Sequence, residues 1–328
     1  MKTAIITGIY GQDGSILAEY LKSKEYKVVG LVSKVRENFL GLEFAEIIQV
    51  DITDSSELKK IFNSYNPDEC YHLAAAHHSA EQKSDSEIHT DMLKVNFLST
   101  KVMIDVILEV VPNCRFLYAG SSQMFSADAD ITIIDEKTPY NPSSFYGITK
   151  VASAQLISLM RRNNNFWGMT VILFNHESVK RTENFLSRKV TSAAAKFANE
   201  TNQSQPAEIN KLFLNDVCAR VDWSAASDFI RAFHLSLQAD DPSDLVLASG
   251  HVHSVSELLE EAFSAVDLDW TDYTETKNET NNTLKPCLQG NSIKAMKKLD
   301  WIPHKSFSDL IKEMVENDLK IIQSNKII

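Results

Sequence analysis

The sequence has little of several features that mark large classes of proteins. Its 328 residues include four cysteines, Cys70, Cys114, Cys218 and Cys287, which form no CxxC pair and follow no metal-ligand spacing. We therefore predict neither a disulfide framework nor a metal site. No uncharged apolar run approaches the roughly 20 residues that cross a bilayer. The net charge of −11 disfavours nucleic acid as a partner, because phosphate backbones attract clustered lysine and arginine.

The first residues also lack the basic region, apolar stretch and cleavage site of a secretory signal. We therefore expect a cytoplasmic protein with reduced thiols that neither enters a membrane nor binds nucleic acid. Hydrophobic residues make up 44% of the chain and charged residues 23%, which is ordinary for a globular protein. The length is sufficient for a substantial buried core.

What the sequence does contain is an alternation of short apolar runs with helical patterns. The apolar runs predict buried strands, and the 3.6-residue periodicity between them predicts amphipathic helices. Units of about 30 residues of this kind are typical of right-handed βαβ crossovers around a parallel sheet. The predicted strands are 3–7, 27–32, 47–50, 71–76, 115–119 and 169–174, and the predicted helices are 15–21, 57–65, 93–110 and 149–162.

Beyond about residue 175 the alternation becomes irregular. Residues 199–210 and 274–283 are polar and poor in apolar side chains, which predicts surface loops. We predict an α/β protein with two parts. Residues 1–175 form a Rossmann doubly wound parallel sheet that binds a dinucleotide, and residues 176–328 form a smaller, mainly substrate-binding portion.

A glycine cluster lies between the first predicted strand and the first predicted helix. The chain has ten glycines, and three of them, Gly8, Gly11 and Gly14, fall within seven positions. Glycine permits a tight turn and a close approach of backbone N–H groups to a pyrophosphate, and the helix N-terminus adds a partial positive charge. The strand–turn–helix context therefore predicts a dinucleotide-binding turn.

The residues after the second strand bear on the choice of cofactor. An acidic residue there binds the adenosine ribose of NAD, whereas a basic one accommodates the 2′-phosphate of NADP. Here Ser33, Lys34 and Arg36 follow the strand, so we predict NADP, with NAD as the alternative if the two bases are only solvated. The other candidate cofactor-binding residues are Gly8, Tyr10, Gly11, Gln12, Asp13, Gly14, Asp51, Ile52, Leu73, Ala74, Ala75, Tyr146 and Lys150.

Tyr146 and Lys150 form a YxxxK motif at the start of a predicted helix. The i, i+4 spacing places both side chains on one helix face. A lysine ammonium favours the phenolate, so the tyrosine can take a proton from an alcohol near neutral pH. Ser121 and Ser122 follow the fifth strand and are positioned to hydrogen-bond the same substrate oxygen. Together these residues predict a site for hydride transfer between an alcohol and a ketone.

These motifs resemble those of the extended short-chain dehydrogenases/reductases, and longer segments are most similar to the GDP-mannose 4,6-dehydratase family. The segments GQDGS and FNHESVKRTENFLSRKV are the most specific of them. The similarity spans nearly the whole chain. It is carried by residues 6–21, 50–58, 71–75, 119–125, 143–150, 174–190, 222–230 and 294–315.

The resemblance implies a reaction on a nucleotide-linked sugar, and the family in question predicts that the nucleotide is GDP. The sugar is oxidised at C4, water is lost across C5 and C6, and hydride returns to C6. Tyr146 would take the O4 proton and Ser121 would be the catalytic hydroxyl. Substrate contacts are implied for Ser122, Asn175, Arg188, Lys189 and Lys285. Similar folds also form a homodimer through the helices predicted here at 93–110 and 149–162.

Three positions depart from the pattern of the family. Gln123 stands where the family has a glutamate that removes the C5 proton, and an amide has no useful basicity. Val221 stands where an arginine is expected to grip phosphate, and Lys285 replaces another arginine. The basic loop after the second strand is also shortened. Dehydration is therefore in doubt unless another base acts, and the candidates are His77, Glu81 and Glu177.

Three functions are compatible with these residues. The protein oxidises a nucleotide sugar at C4 and then dehydrates it, or it is a C4 oxidoreductase or epimerase that never eliminates water. The third possibility is a degenerate paralogue that only binds cofactor. The intact Ser121, Tyr146 and Lys150 argue against this last reading, since a protein without catalysis gains nothing from them.

Overall fold

The computed structural model describes residues 1–36, 41–77, 86–201, 210–276 and 285–324. The strands in these ranges are β1 (Thr3–Thr7), β2 (Lys27–Val32), β3 (Glu46–Gln49), β4 (Glu69–His72), β5 (Arg115–Ala119), β6 (Ile131–Ile134), β7 (Gly168–Leu173), β8 (Asn175–Glu177), β9 (Leu212–Leu214), β10 (Arg220–Ala225), β11 (Leu245–Leu247), β12 (Val252–Ser254), β13 (Thr274–Thr276) and β14 (Cys287–Gly290).

The helices in the described ranges are α1 (Gln12–Ser23), α2 (Ser55–Tyr65), α3 (Ser86–Met92), α4 (Ser99–Val110), α5 (Phe145–Asn163), α6 (Leu186–Thr201), α7 (Ala226–Gln238), α8 (Val255–Ser264), α9 (Trp270–Tyr273), α10 (Ile293–Leu299) and α11 (Phe307–Ser324). A π-helical segment, Leu93–Leu98, joins α3 to α4, and Ser122–Met124 form a 3₁₀ turn. The helix predicted at 93–110 therefore begins earlier, at Ser86.

A seven-stranded sheet forms the centre of the fold, in the order β11–β7–β5–β4–β1–β2–β3. All six neighbouring pairs are parallel. Alternate residues of a strand face opposite sides of a sheet, and β1 shows the consequence. Ala4 and Ile6 belong to one apolar core cluster, whereas Ile5 between them belongs to another. Helices cover both faces, so the predicted Rossmann doubly wound fold is confirmed.

A smaller apolar core lies in the part of the chain beyond residue 175. The helices α6, α8 and α11 pack together there, beside a three-stranded sheet of β12, β10 and β8. The strand β8 pairs in parallel with β10, directly after β7 leaves the large sheet. This arrangement brings the start of the second portion to the carboxyl ends of the large sheet's strands, where ligands bind in open α/β folds.

The predicted division at residue 175 is approximate in this topology. The strand β11 joins the large sheet beside β7, and α7 packs against α1. Both elements lie beyond residue 175, so the chain returns to the first portion after entering the second. The assignment of 176–328 as mainly substrate-binding stays a prediction.

The two predicted surface loops are only partly described. The helix α6 extends through Thr201, so residues 199–201 are helical, because the apolar face of that helix continues to pack. Residues 274–276 form β13, paired with β9. Residues 202–209 and 277–284 lie outside the described part of the chain. Within the described ranges, no helix is long and apolar enough to span a membrane, and no cluster of His, Cys, Asp and Glu could hold a metal ion.

Candidate active site

The glycine-rich turn between β1 and α1 is tight enough that two of its glycines have no room for a side chain. Gly8 has a φ of +73°, and a Cβ there would lie 3.0 Å from the backbone of Ala74. A Cβ on Gly14 would lie 2.3 Å from the carbonyl oxygen of Gly8. Gly11 is the N-cap of α1 and provides no side-chain cap, so N–H groups of the first helical turn are left for an anion. The turn therefore fits a dinucleotide pyrophosphate.

The side chains of Gln12 and Asp13 face the second portion of the chain. Asp13 Oδ2 lies 2.9 Å from His176 Nε2, and Gln12 Nε2 donates to the His176 carbonyl oxygen at 3.0 Å. Ser178 Oγ donates to Gln12 Oε1 at 2.8 Å. The two segments that are most specific in the sequence are thus hydrogen-bonded to each other. The predicted cofactor contacts of Gln12 and Asp13 stay predictions.

The Asp13–His176 pair is buried and carries opposite charges. Burial disfavours ionisation of Asp13, but the charge of His176 and its hydrogen bond outweigh this and lower the pKa of the carboxyl. Burial likewise disfavours the imidazolium of His176, but Asp13 raises the pKa of that ring. The ion pair joins the glycine-rich turn to β8. It therefore fixes the position of the substrate side of the site relative to the cofactor side.

A cavity of about 740 Å³ opens at the carboxyl ends of the central strands. It brings together all the residues of the predicted reaction centre, namely Ser121, Ser122, Gln123, Tyr146 and Lys150. Asp13, Leu73 and Ala75 line it from the cofactor side, and Asn175 and Lys189 from the substrate side. Residues separated by more than 170 positions in the chain thus line the same cavity.

The N-terminus of α5 fixes the catalytic pair. Ser144 is the N-cap, and its Oγ accepts a hydrogen bond from the Gly147 N–H at 3.0 Å. Tyr146 and Lys150 then fall in the first two turns and face the cavity. Lys150 Nζ donates to the Ala119 carbonyl oxygen at 2.8 Å and lies 5.5 Å from the centre of the Tyr146 ring. The lysine is thereby anchored beneath the phenol.

The charges around Tyr146 differ from the expectation for a YxxxK pair. Burial lowers the pKa of Lys150 to about 7. Burial also raises the pKa of Tyr146 above its ordinary range, while the positive charge of Arg181 and a hydrogen bond with Ser121 lower it. The cation that favours the phenolate here is therefore Arg181, which lines the same cavity.

Gln123 is held by hydrogen bonds on both sides of its amide. Its Oε1 accepts from Ser144 Oγ at 3.1 Å, and its Nε2 lies 3.3 Å from His77 Nε2. The His77 ring in turn meets the Tyr146 ring edge-on, with centroids 4.8 Å apart. Among the described residues that line the cavity, only Asp13 carries a carboxylate, and it is engaged by His176.

Of the other two candidates for a substitute base, Glu177 is not among the residues that line the described cavity. Glu177 is buried, and its Oε2 accepts from Ser187 Oγ at 2.6 Å and lies 3.1 Å from Arg181 Nε. Burial raises its pKa, against the opposing charge of Arg181. Glu81 lies outside the described residues.

Two residues of the predicted substrate contacts, and the position where an arginine was expected, do not line the cavity. Arg188 pairs with buried Asp318 on α11, because successive residues of a helix point about 100° apart and Lys189 takes the cavity-facing position. Lys285 is exposed and pairs with Asp216. Val221 packs at the edge of the smaller apolar core. The structure therefore does not bring Arg188 or Lys285 to this cavity.

The residues predicted to select the cofactor lie at the tip of β2. Ser33, Lys34 and Arg36 are exposed there. The Arg36 guanidinium lies 5.5 Å from the centre of the Tyr10 ring, which belongs to the glycine-rich turn. Asp51 is exposed near the end of β3 and accepts hydrogen bonds from the residue two positions on. These groups surround the place that an adenosine ribose takes in this fold.

Three further predicted cofactor residues have structural roles in the same region. Ile52 packs partly buried against the core cluster beneath β1. The Ala74 N–H donates to Thr7 Oγ1 at 3.0 Å, and the Leu73 N–H donates to the same oxygen at 3.1 Å. Thr7 thereby fixes the backbone of the loop after β4 against the glycine-rich turn.

Sequence reasoning missed the roles of Arg181, His176 and Ser144. Arg181 and His176 lie inside the quoted 174–190 segment, so their location was signalled but their roles were not. Ser144 precedes the YxxxK motif at the N-cap position, where serine is favoured, and this signal could have identified it.

The fold and the joint placement of Ser121, Tyr146 and Lys150 behind a glycine-rich turn define an extended short-chain dehydrogenase/reductase. The chain also matches the sequence model of the GDP-mannose 4,6 dehydratase family over residues 5–314. It therefore belongs to that enzyme family, as the motifs predicted.

Individual relatives agree with this assignment. The GDP-mannose 4,6 dehydratase of Drosophila melanogaster is 32% identical, over 99% of this chain and 88% of its own. The human GDP-mannose 4,6 dehydratase is also 32% identical, over 98% of this chain and 92% of its own. Both relatives are thus matched over nearly their full length.

Solved structures share the fold at lower identity. A dTDP-glucose 4,6-dehydratase from Bacillus anthracis in complex with NAD superposes with a TM-score of 0.81 at 15% identity, covering 98% of both chains. A UDP-glucose 4-epimerase from Thermotoga maritima with UDP-glucose has a TM-score of 0.81 at 19% identity, covering 98% of this chain and 99% of its own. These two structures establish the architecture.

Proposed function

We propose that the protein oxidises the C4 hydroxyl of a GDP-linked hexose by hydride transfer to a nicotinamide dinucleotide. One observation carries the proposal. Ser121 and Tyr146 lie on the wall of a single cavity that Asp13 of the glycine-rich turn bounds on one side and Asn175 and Lys189 bound on the other. A sugar placed between these two sides would present a hydroxyl to the phenol.

Each residue has a separate part in this reaction. Ser121 hydrogen-bonds the sugar O4 and Tyr146 accepts its proton. Arg181 favours the phenolate through its charge, and Lys150 holds the helix turn beneath the phenol through its bond to the Ala119 carbonyl. The dinucleotide, held by the glycine-rich turn, supplies the hydride acceptor. General acid–base catalysis of this kind accelerates reactions by about 10²–10⁴-fold.

We propose further that loss of water is slower than oxidation at C4. A C4 ketone acidifies the C5 proton, but its removal requires a base, and the amide of Gln123 is not one. This residue also favours a second candidate function, a GDP-sugar C4 oxidoreductase or epimerase that does not eliminate water. Product mass distinguishes the two, since only dehydration lowers it by one water.

The cofactor is proposed to be NADP in preference to NAD. The exposed Ser33, Lys34 and Arg36 at the tip of β2 offer a hydroxyl and two cations to a 2′-phosphate. No acidic side chain follows the strand at these positions. Titration of both dinucleotides into the apo protein tests the preference, and equal or tighter binding of NAD contradicts it.

We also propose a homodimer formed through the π/α helix Leu93–Val110 and the helix α5. Four large apolar side chains on these helices are exposed, namely Leu93, Leu98, Ile148 and Leu159. An apolar surface of this kind is favourable to bury against a second copy. Light scattering during gel filtration measures the mass directly.

A panel of GDP-, UDP- and dTDP-linked hexoses tests the proposed function. Each sugar is incubated with the protein and NADP while cofactor absorbance at 340 nm and product mass are followed together. We expect cofactor reduction with a GDP-hexose, and loss of water only more slowly. Reduction by none of the sugars would contradict the proposal, and loss of water as fast as reduction would contradict the proposed order of rates.

A further inference from the structure

The cavity holds one basic side chain beside both the catalytic phenol and the amide of Gln123. His77 meets the Tyr146 ring edge-on at 4.8 Å and stacks on the Phe185 ring at 5.9 Å between centroids. Its Nε2 lies 3.3 Å from Gln123 Nε2. Two ring contacts and one polar contact thus fix both the plane of the imidazole and the direction of its Nε2.

We propose that His77 is the base that removes the C5 proton of the ketosugar, and this rests on the proposed oxidation at C4. Neutral imidazole is a base of suitable strength near neutral pH. The position is also suitable, because C5 is bonded to C4 and the C4 oxygen must lie at the Tyr146 hydroxyl. A side chain that lines the cavity beside the phenol can therefore reach the carbons next to C4, of which C5 is one.

The other ionisable groups on the described cavity wall have different partners. Asp13 and His176 are paired with each other. Lys150 is buried beneath the phenol and donates to a backbone carbonyl. His89 stacks on the Phe145 ring with centroids 4.1 Å apart. Arg181 and Lys189 add positive charge to the same space, which favours the enolate that proton removal creates.

The elimination balances with His77 as the base. The C5–H electron pair forms the C5=C6 bond while the C6–O bond breaks, and the C5 proton passes to the imidazole. The departing hydroxide takes a proton from the imidazolium and leaves as water. A bound nicotinamide would return to C6 the hydride taken from C4. C5 would take a proton from solvent while Tyr146 releases to solvent the proton it took from O4, so the cofactor and the side chains end in their starting states.

Gln123 moderates this base. An amide Nε2 only donates hydrogen bonds, so its contact with His77 requires the imidazole Nε2 to accept and the ring proton to lie on Nδ1. The bond from Ser144 Oγ to Gln123 Oε1 fixes the amide in that direction. The amide N–H and the C5 proton therefore compete for one lone pair, and this competition would slow the loss of water relative to oxidation.

Proton exchange at C5 tests the proposal without any hydride transfer. A GDP-linked 4-keto-6-deoxyhexose already has an acidic C5 proton, so the wild-type protein in D₂O should replace it with deuterium, seen by proton NMR. We expect His77→Asn to slow this exchange by about 10²–10⁴-fold. Cofactor reduction by a GDP-hexose, measured on the same preparation, should fall by a much smaller factor.

The outcomes separate this proposal from the proposed function. C5 exchange that His77→Asn leaves unchanged, or that falls only in parallel with cofactor reduction, would overturn the role of His77. Absence of exchange in the wild type would also overturn it, while leaving oxidation at C4 standing. His251→Asn is the matched control, because that ring lies in an exposed turn where its Nδ1 contacts the Ser249 carbonyl. It should exchange C5 at the wild-type rate.

A second variant tests the position of the base. Adding Gln123→Glu to His77→Asn places a carboxylate where the amide was, within reach of the same carbon. Recovery of C5 exchange by tenfold or more over His77→Asn supports the assignment, because it shows that the lost function was a base at this wall. The assignment would be contradicted if the double variant exchanged C5 no faster than His77→Asn.

Discussion

The two sides of the cavity differ in how firmly the fold holds their acid–base groups. On the hydride side, Tyr146 and Lys150 sit in the first turns of a capped 19-residue helix, and Lys150 is 2% exposed. On the elimination side, Gln123 lies in a three-residue 3₁₀ turn and His77 lies in the loop after β4. Groups on regular elements are positioned by packing, whereas groups on short turns depend on a few hydrogen bonds.

This difference indicates which residues of the site can be substituted with little disturbance to the fold. Replacing the phenol or its lysine disturbs a buried helix start. Replacing Gln123 or His77 changes exposed side chains, whose contacts include the bonds of Gln123 with Ser144 and His77 and the packing of His77 on the Tyr146 and Phe185 rings. We infer that the fold holds the groups for hydride transfer firmly, whereas the fate of the ketosugar depends on a small cluster of exposed side chains.

The largest effect is expected from Tyr146→Phe, which breaks the hydride side alone. The ring remains and still packs against His77, but no group takes the O4 proton. We expect hydride transfer to fall by about 10²–10⁴-fold, with cofactor affinity nearly unchanged because the glycine-rich turn is untouched. Stopped-flow absorbance and a dinucleotide titration measure the two quantities. Near-wild-type turnover would exclude Tyr146 as the acid–base residue.

A smaller effect of opposite sign is expected from Gln123→Glu, which strengthens the elimination side. The carboxylate adds a base and removes the N–H that competes for His77. We expect the yield of 4-keto-6-deoxy product to rise by about 10- to 100-fold, less than the full effect of a general base because His77 already provides one. Product mass spectrometry measures it. Gln123→Asn is the control, since it keeps an amide, and equal yields from both variants would contradict the prediction.

The smallest effect concerns the free energy of unfolding. It tests whether Lys150 on the hydride side is buried strongly enough to lower its pKa. Burial lowers the pKa of Lys150 to about 7, against about 10.4 in an unfolded chain. Between these values the unfolded chain holds a proton that the folded protein releases, so the free energy of unfolding rises with pH. Below about pH 7 both states hold the proton and this contribution is constant.

Lys150→Met should therefore lack the part of the pH slope that Lys150 causes. One proton corresponds to at most about 1.4 kcal/mol per pH unit. Urea unfolding of the wild type and the variant at pH 6, 7, 8 and 9 measures the difference, and other titrating groups cancel between the two proteins. Parallel stability curves from pH 7 to 9 would contradict the low pKa of Lys150.

Local pattern was sufficient to predict much of this protein. The alternation of apolar runs identified six of the seven strands of the large sheet, three of them with the observed bounds and three with ends displaced by one to four residues. The spacing of Gly8, Gly11 and Gly14 identified the dinucleotide turn. The YxxxK spacing identified Tyr146 and Lys150. Each of these features is encoded within a few consecutive residues, because strand periodicity, turn geometry and helix faces depend on near neighbours.

Only the tertiary structure decided which distant residues meet. Gln12 and Asp13 are hydrogen-bonded to His176 and Ser178 in the second portion of the chain. Arg188 turned away to Asp318 while its neighbour Lys189 faced the cavity. These outcomes depend on how the second portion packs against the first, and no local pattern carries that information.

The same division applies to the acid–base chemistry. The sequence determined that position 123 carries an amide and that His77 follows the motif segment 71–75. The tertiary structure decided that His77, 46 residues away in the chain, reaches both that amide and the Tyr146 ring. It also decided that burial, rather than the YxxxK spacing, dominates the pKa values of Tyr146 and Lys150. Desolvation is a property of the packed interior, so it is fixed only when the whole chain has folded.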